Sequence, residues 1–164
     1  MMRRWFQHLL TTPLALRRCF PPATLAAVDA AIAASERHHR AEIRCAVETT
    51  LSAGHLYRGV GSTQRAAEVF SELGMWDTAE NNGILLYVLL AERTIEIVAD
   101  RGFALRVTAA EWARICAGME VALGAGLYRQ GTLAAIGRIT ALAAEHFPAG
   151  SGDRNELEDK TILL

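Results

Sequence analysis

Apolar positions along the chain change their spacing several times, and each change marks an element. After Pro21-Pro22, Leu25, Val28 and Ile32 recur at helical spacing, which predicts a helix of about 16 residues fading into the charged SERHHR. In EIRCAVETT the period drops to two, with Ile43, Cys45 and Val47 alternating against Arg44, Ala46 and Glu48, a strand with one wetter face. LSAGHLYRGVGS reads as a loop. From Ser62 a second helix places Ala66, Val69, Phe70 and Leu73 on one stripe, with Ser62 or Thr63 as its cap.

The run Ile84 to Leu90 is continuously apolar, as in a central strand buried on both faces. Glu92-Arg93 predict a two-residue reversal into an antiparallel strand carrying Ile95 and Ile97, and that register sets Leu85 opposite Asp100 and Gly83 opposite Gly102. TAAE at 108–111 fits a capping box opening a helix with Trp112, Ile115, Cys116 and Met119 on one stripe. A last helix carries Leu133, Ile136, Ile139 or Thr140, and Ala143, and stops at Phe147-Pro148.

A strand–helix–strand unit of this length implies parallel pairing through a right-handed crossover. The expected fold is therefore α/β: a three-layer α/β/α sandwich, Rossmann-like, with a small mixed sheet and helices on both faces. Residues 1–20 form a basic amphipathic segment, 21–148 the domain, and 149–164 a tail that begins as a linker and ends in the apolar Ile162–Leu164. Three large aliphatic residues have no use in solvent, so this end is expected to dock on the domain or on a partner.

The 164 residues, 51% apolar and 21% charged, suit one core. The formal charge of −1 conceals an asymmetry: residues 1–20 hold four Arg and no acid. The body shows no basic concentration, so nucleic acid is not an expected partner. Cys19, Cys45 and Cys116 are far apart, without zinc-ligand spacing, and Cys45 and Cys116 fall on apolar stripes; this reads as a reduced, cytoplasmic chain with packed thiols. The amino end lacks a small-residue cleavage site and reads against a signal peptide, and no run is long enough for a transmembrane span. Residues 3–18, with Trp5, Phe6, Leu9 and Leu10, either touch a membrane surface or dock on their own domain, the latter being the first expectation.

Strand direction sorts the loops into two candidate sites. Beyond the carboxyl end of the first strand, RGVGSTQR offers Arg58, Gly61, Ser62, Thr63 and Arg65 to an anion, although it lacks the GK[ST] ending of a phosphate loop; a flexible loop before a capped helix is the first expectation. At the opposite rim the hairpin gathers Asp77, Glu80, Asn81, Asn82, Asp100 and Arg101. Carboxylates and amides are the hard oxygen ligands of Ca²⁺ or Mg²⁺, but turn-forming and paired roles account for the same residues. No nucleophile stands beside an activating partner: His38-His39 belong to an exposed helix end, His55 to a loop and His146 to a helix C-terminus.

RAAEVFSELGMWDT, then NNGILLYVLLAERTIEIVADRGF, then a Trp-bearing helix and GLYRQGTLAAIGRI together resemble the TPM domain, named for thylakoid-lumen, photosystem II repair and acetylcholine-receptor-associated members. AEIRCAVE and the closing NELEDKTILL after HFP resemble its short, stand-alone bacterial branch. The resemblance implies a Rossmann-like domain. Members are described as acid phosphatases, divalent-metal binders, photosystem-repair factors and receptor auxiliaries, so the fold does not fix one chemistry. The family pattern often has Asp where this chain has Asn81, which weakens any Ca²⁺ or Mg²⁺ site and leaves Arg101 or Arg44 to supply positive charge. The signal peptide and membrane segment of longer relatives are not seen in the sequence. The reading is an accessory module with a protein partner, a membrane-associated TPM-domain protein; the alternative is a weak, metal-dependent phosphatase.

Overall fold

The computed structural model describes residues 2–150 and 160–164, with the backbone alone for Met2 and Arg3. The expected linker therefore lies largely outside the described residues. Helices α1 (Met2–Leu10), α2 (Pro13–Cys19) and α3 (Pro22–Ser35) precede strand β1 (Glu42–Glu48). A short α4 (Ala53–Tyr57) and α5 (Ser62–Glu72) lead to β2 (Gly83–Leu89) and β3 (Thr94–Ala99). A 3₁₀ turn (Arg101–Phe103), α6 (Ala109–Gly124), α7 (Tyr128–His146) and β4 (Ile162–Leu163) complete the chain.

The sheet runs β3-β2-β1-β4, with β1 parallel to β2 and to β4, and β3 antiparallel to β2. Ile43, Cys45, Val47, Ile84, Leu86 and Val88 point into a core shared with α3, α6 and α7; Ala46, Leu85, Tyr87 and Leu89 point the other way, onto Ala66, Val69 and Phe70 of α5. Period-two alternation thus feeds two cores, and the three-layer α/β/α sandwich follows. β2 is buried throughout, as its unbroken apolar run requires.

The thiols behave as packing groups: burial first, then the Asp29 carboxylate, pushes Cys45 up to about 12, and burial with Glu96 and Glu120 pushes Cys116 up to about 11. The capping box at α6 forms as expected, Thr108 accepting from the Glu111 amide while the Glu111 carboxylate accepts from the Thr108 amide. Those bonds hold the Glu111 carboxyl below its usual range.

Several local expectations are corrected. The hairpin turn is not the two-residue Glu92-Arg93. Leu90 and Ala91 donate instead to Glu48 and Thr49 at the end of β1, and Arg93, at φ 56°, closes a four-residue connection. Leu85 consequently pairs with Val98, not Asp100, and Gly83 accepts from the Asp100 amide in place of facing Gly102. A shift of two residues keeps every side chain on its expected face. Ser52 caps a helical turn, α4, inside the expected loop. Neither Ser62 nor Thr63 caps α5; Gly61 stands at that position, and both hydroxyls donate to Glu96 on β3. His39 is buried, not exposed, because its backbone bridges to Pro148 beyond the end of α7.

Candidate functional site

The rim at the amino ends of β1 and β2 is built on two close chain crossings. Asn81 takes φ 53°, a left-handed conformation that Asn tolerates, and so turns the chain into β2. Its carbonyl accepts from the Gly102 amide at 2.9 Å, and a Cβ on Gly102 would lie 2.4 Å from that oxygen, so only glycine permits the crossing. Gly83 is likewise required beneath the Met75 carbonyl, 2.2 Å from where its Cβ would stand.

On this frame the polar side chains largely occupy one another. Arg40 pairs with Glu80, and its Nε donates to the Pro148 carbonyl at 3.0 Å. Arg101 Nε donates to Asn81 Oδ1 at 2.7 Å, and Asp100 Oδ1 accepts from the Arg101 amide at 2.7 Å. Asn82 Nδ2 donates to the Arg40 carbonyl at 2.6 Å, while its own amide donates to Thr78 Oγ1 at 3.0 Å. Asp77 is exposed. The positive charge comes from Arg101, as expected, and from Arg40, which sequence reasoning left in an undifferentiated charged run; Arg44 Nε is buried without a hydrogen bond.

Two buried oxygens of the rim, Asn82 Oδ1 and Asp100 Oδ2, also lack a partner. Ca²⁺ takes about six to eight oxygen ligands and Mg²⁺ about six. Among the described residues no three His, Cys, Asp or Glu side chains converge on one point. Glu80 and Asn81 already face guanidinium groups, so the residues present do not fit a dedicated cation site.

The carboxyl end of β1, where ligands of open α/β sheets normally bind, holds a buried ion pair. Glu48 Oε2 accepts from Tyr87 Oη at 2.6 Å and from Arg65 Nε at 2.9 Å, and Arg65 Nη1 reaches Glu72 at 2.9 Å. Burial works against the Arg65 cation, but Glu72 and Glu48 outweigh it and its pKa moves up; burial, then the bond to Glu48, raises that of Tyr87. Of the anion-binding candidates, Arg65 thus points inward, Ser62 and Thr63 are engaged by Glu96, Gly61 precedes α5, and Arg58 is exposed. Sequence reasoning missed Glu48 and Tyr87 as partners, although the alternating pattern places both on the α5 face of adjacent strands.

Helix α1 fastens to the same end by its polar residues. Arg4 and His8, one turn apart, both meet Glu92 Oε1, at 2.6 and 2.8 Å, and Arg4 also donates to the Val60 carbonyl. The Leu51 amide donates to His8 Nδ1 at 3.1 Å, which assigns the ring proton to Nε2. Beneath α1 and α2 opens a cleft of about 450 Å³ walled by Thr11, Ala15, Cys19, Leu90 and Tyr128 among others. Trp5, Phe6, Leu9 and Leu10 face outward.

Fold and sites together define a small α/β/α domain whose sheet carries an arginine-paired rim at one end and a buried Glu–Arg–Tyr cluster at the other. A family model for the TPM domain matches residues 17–142, and the chain belongs to the TPM-domain family. It is similar to the NMR structure of the BA42 protein from the psychrophilic bacterium Bizionia argentinensis sp. nov., at 26% identity and a TM-score of 0.74, over 87% of this chain and 93% of that one. Among curated proteins none matches the chain.

Proposed function

We propose that this TPM domain works by binding, as an accessory module to a membrane-associated relative of its family, and that the outer face of α1 and α2 is the contact surface that holds it where that relative resides. The orientation of α1 carries this reading. A surface helix of a globular domain normally buries its apolar stripe and offers its polar one to water. Here Arg4 and His8 are turned inward, and Trp5, Phe6, Leu9 and Leu10 outward. Contiguous exposed apolar residues of this kind mark a contact surface. Among the described residues no helix is long and apolar enough to cross a membrane.

A second reading, a weak phosphohydrolase at the rim, is favoured by the unpartnered Asp100 Oδ2 and by the phosphatase in the family model's name. The test is turnover of a chromogenic phosphate ester with and without Mg²⁺, Ca²⁺ or Mn²⁺. The binding reading expects no turnover above background and an Asp100→Ala variant indistinguishable from the parent. Turnover that Asp100→Ala abolishes would replace it with the hydrolase.

A further inference from the structure

We infer that the occupant of the outer α1–α2 face is an anionic lipid surface, an inference that rests on the binding reading above. α1 presents Trp5, Phe6, Leu9 and Leu10 outward, with Leu9 77% and Leu10 76% exposed. On α2, Leu16, Cys19 and the following Phe20 turn toward the core, which leaves Leu14, Arg17 and Arg18, at spacing i, i+3, i+4, on its exposed side. Elsewhere among the described residues Tyr57, Trp76, Leu105, Val121 and Leu127 are exposed singly in sequence, and Leu163 and Leu164, the one adjacent pair, are less exposed than Leu9 and Leu10 and sit where β4 closes the edge of the sheet. The clustered ones lie before residue 17, ahead of the segment matched by the TPM family, so the shared domain does not account for them.

Charge and shape choose among occupants. Residues 1–20 hold four Arg and no acid, and of these Arg4 is taken up by Glu92 while Arg17 and Arg18 are exposed. A second copy meeting this face would set arginines against arginines with no acid in either segment to offset them. The face is a helix exterior and not a groove, so it gives little for one shaped protein ligand to fit. A bilayer with anionic headgroups supplies both complements: an acyl boundary for Trp, Phe and Leu, and negative charge for Arg17 and Arg18. The clamp of Arg4 and His8 on Glu92 and on the β1–α5 connection holds α1 with its apolar side already outward, so docking requires no unfolding of the domain.

Flotation of the full chain with vesicles tests this, using phosphatidylcholine alone and equal parts of phosphatidylcholine and phosphatidylglycerol. The parent should float with the mixed vesicles and release as salt is raised. Arg17→Ala/Arg18→Ala should lower its partition coefficient about 30-fold, roughly fivefold per charge. Leu9→Ser/Leu10→Ser should remove binding while the circular dichroism spectrum is unchanged, since both side chains are exposed. Absence of flotation, or flotation indifferent to both double variants, overturns the inference. Concentration-dependent self-association without flotation, abolished by Leu9→Ser/Leu10→Ser, also overturns it but leaves the binding reading standing; that reading is tested separately by phosphate-ester turnover.

Discussion

Arg65→Ala should be among the most damaging substitutions in the chain, lowering stability by about 3–5 kcal/mol. Arg65 and Glu48 are both almost wholly buried, and the Glu48 carboxylate is bound by Arg65 and by the Tyr87 hydroxyl. Removing the guanidinium leaves a carboxylate between the sheet and α5 with one neutral donor and no countercharge, and the cost arises mainly from that stranded charge. For a chain of this size each kcal/mol corresponds to about 2–4 °C, so the melting temperature should fall by roughly 6–20 °C. Replacing both partners, Glu48→Leu with Arg65→Met, should recover much of the loss because no charge remains to be desolvated. A single variant within about 1 kcal/mol of the parent would show that water reaches the pair.

Deleting residues 160–164 should cost about 2–4 kcal/mol and lower the melting temperature by roughly 4–16 °C. Asp29 Oδ1 on α3 accepts from both the amide and the hydroxyl of Thr161, at 2.8 and 2.6 Å, which anchors the segment ahead of β4. Leu164 then exchanges backbone bonds with Val47 and Thr49, and Ile162 packs beside the α5-side core. Without β4 the long edge of β1 is open to other chains, so the truncated protein should also aggregate on heating. Thermal denaturation followed by circular dichroism and light scattering measures both effects. An unchanged curve would mean that β4 covers the edge without stabilising it.

The layers were legible because burial imposes its period directly on the sequence. Ile84–Leu90 could only be a doubly covered strand, and Ile43, Cys45 and Val47 had to face the opposite way from Arg44, Ala46 and Glu48. Hairpin register was less legible, because Leu90 and Ala91 look like strand residues but find their hydrogen-bond acceptors on β1. The place of Ile162-Leu163 beside β1 was open for a related reason: a two-residue strand has no period, and apolar character says only that it must be covered. At the rim, strand direction placed Asn81, Asn82, Asp100 and Arg101 at one sheet end even though the register was two residues off. The pairing of Glu80 with Arg40 depends on a crossing of chain segments forty residues apart, which no local pattern encodes. Likewise α1 was recognisable as amphipathic, yet which side would face the domain was decided by Glu92, far away in the hairpin turn.

The choice of binding over metal-dependent chemistry turns on the claim that the rim is closed by its own guanidinium groups, and calorimetric titration of the full chain with Ca²⁺ tests it most directly. Arg101 holds Asn81 and Arg40 holds Glu80, so the parent should give no saturable heat. Asn81→Asp should change this little, because the new carboxylate would pair with Arg101 before it could join Asp100 at a cation. Stoichiometric, tight binding by the parent, lost in Asp100→Ala, would contradict the account and return the rim to metal-dependent chemistry.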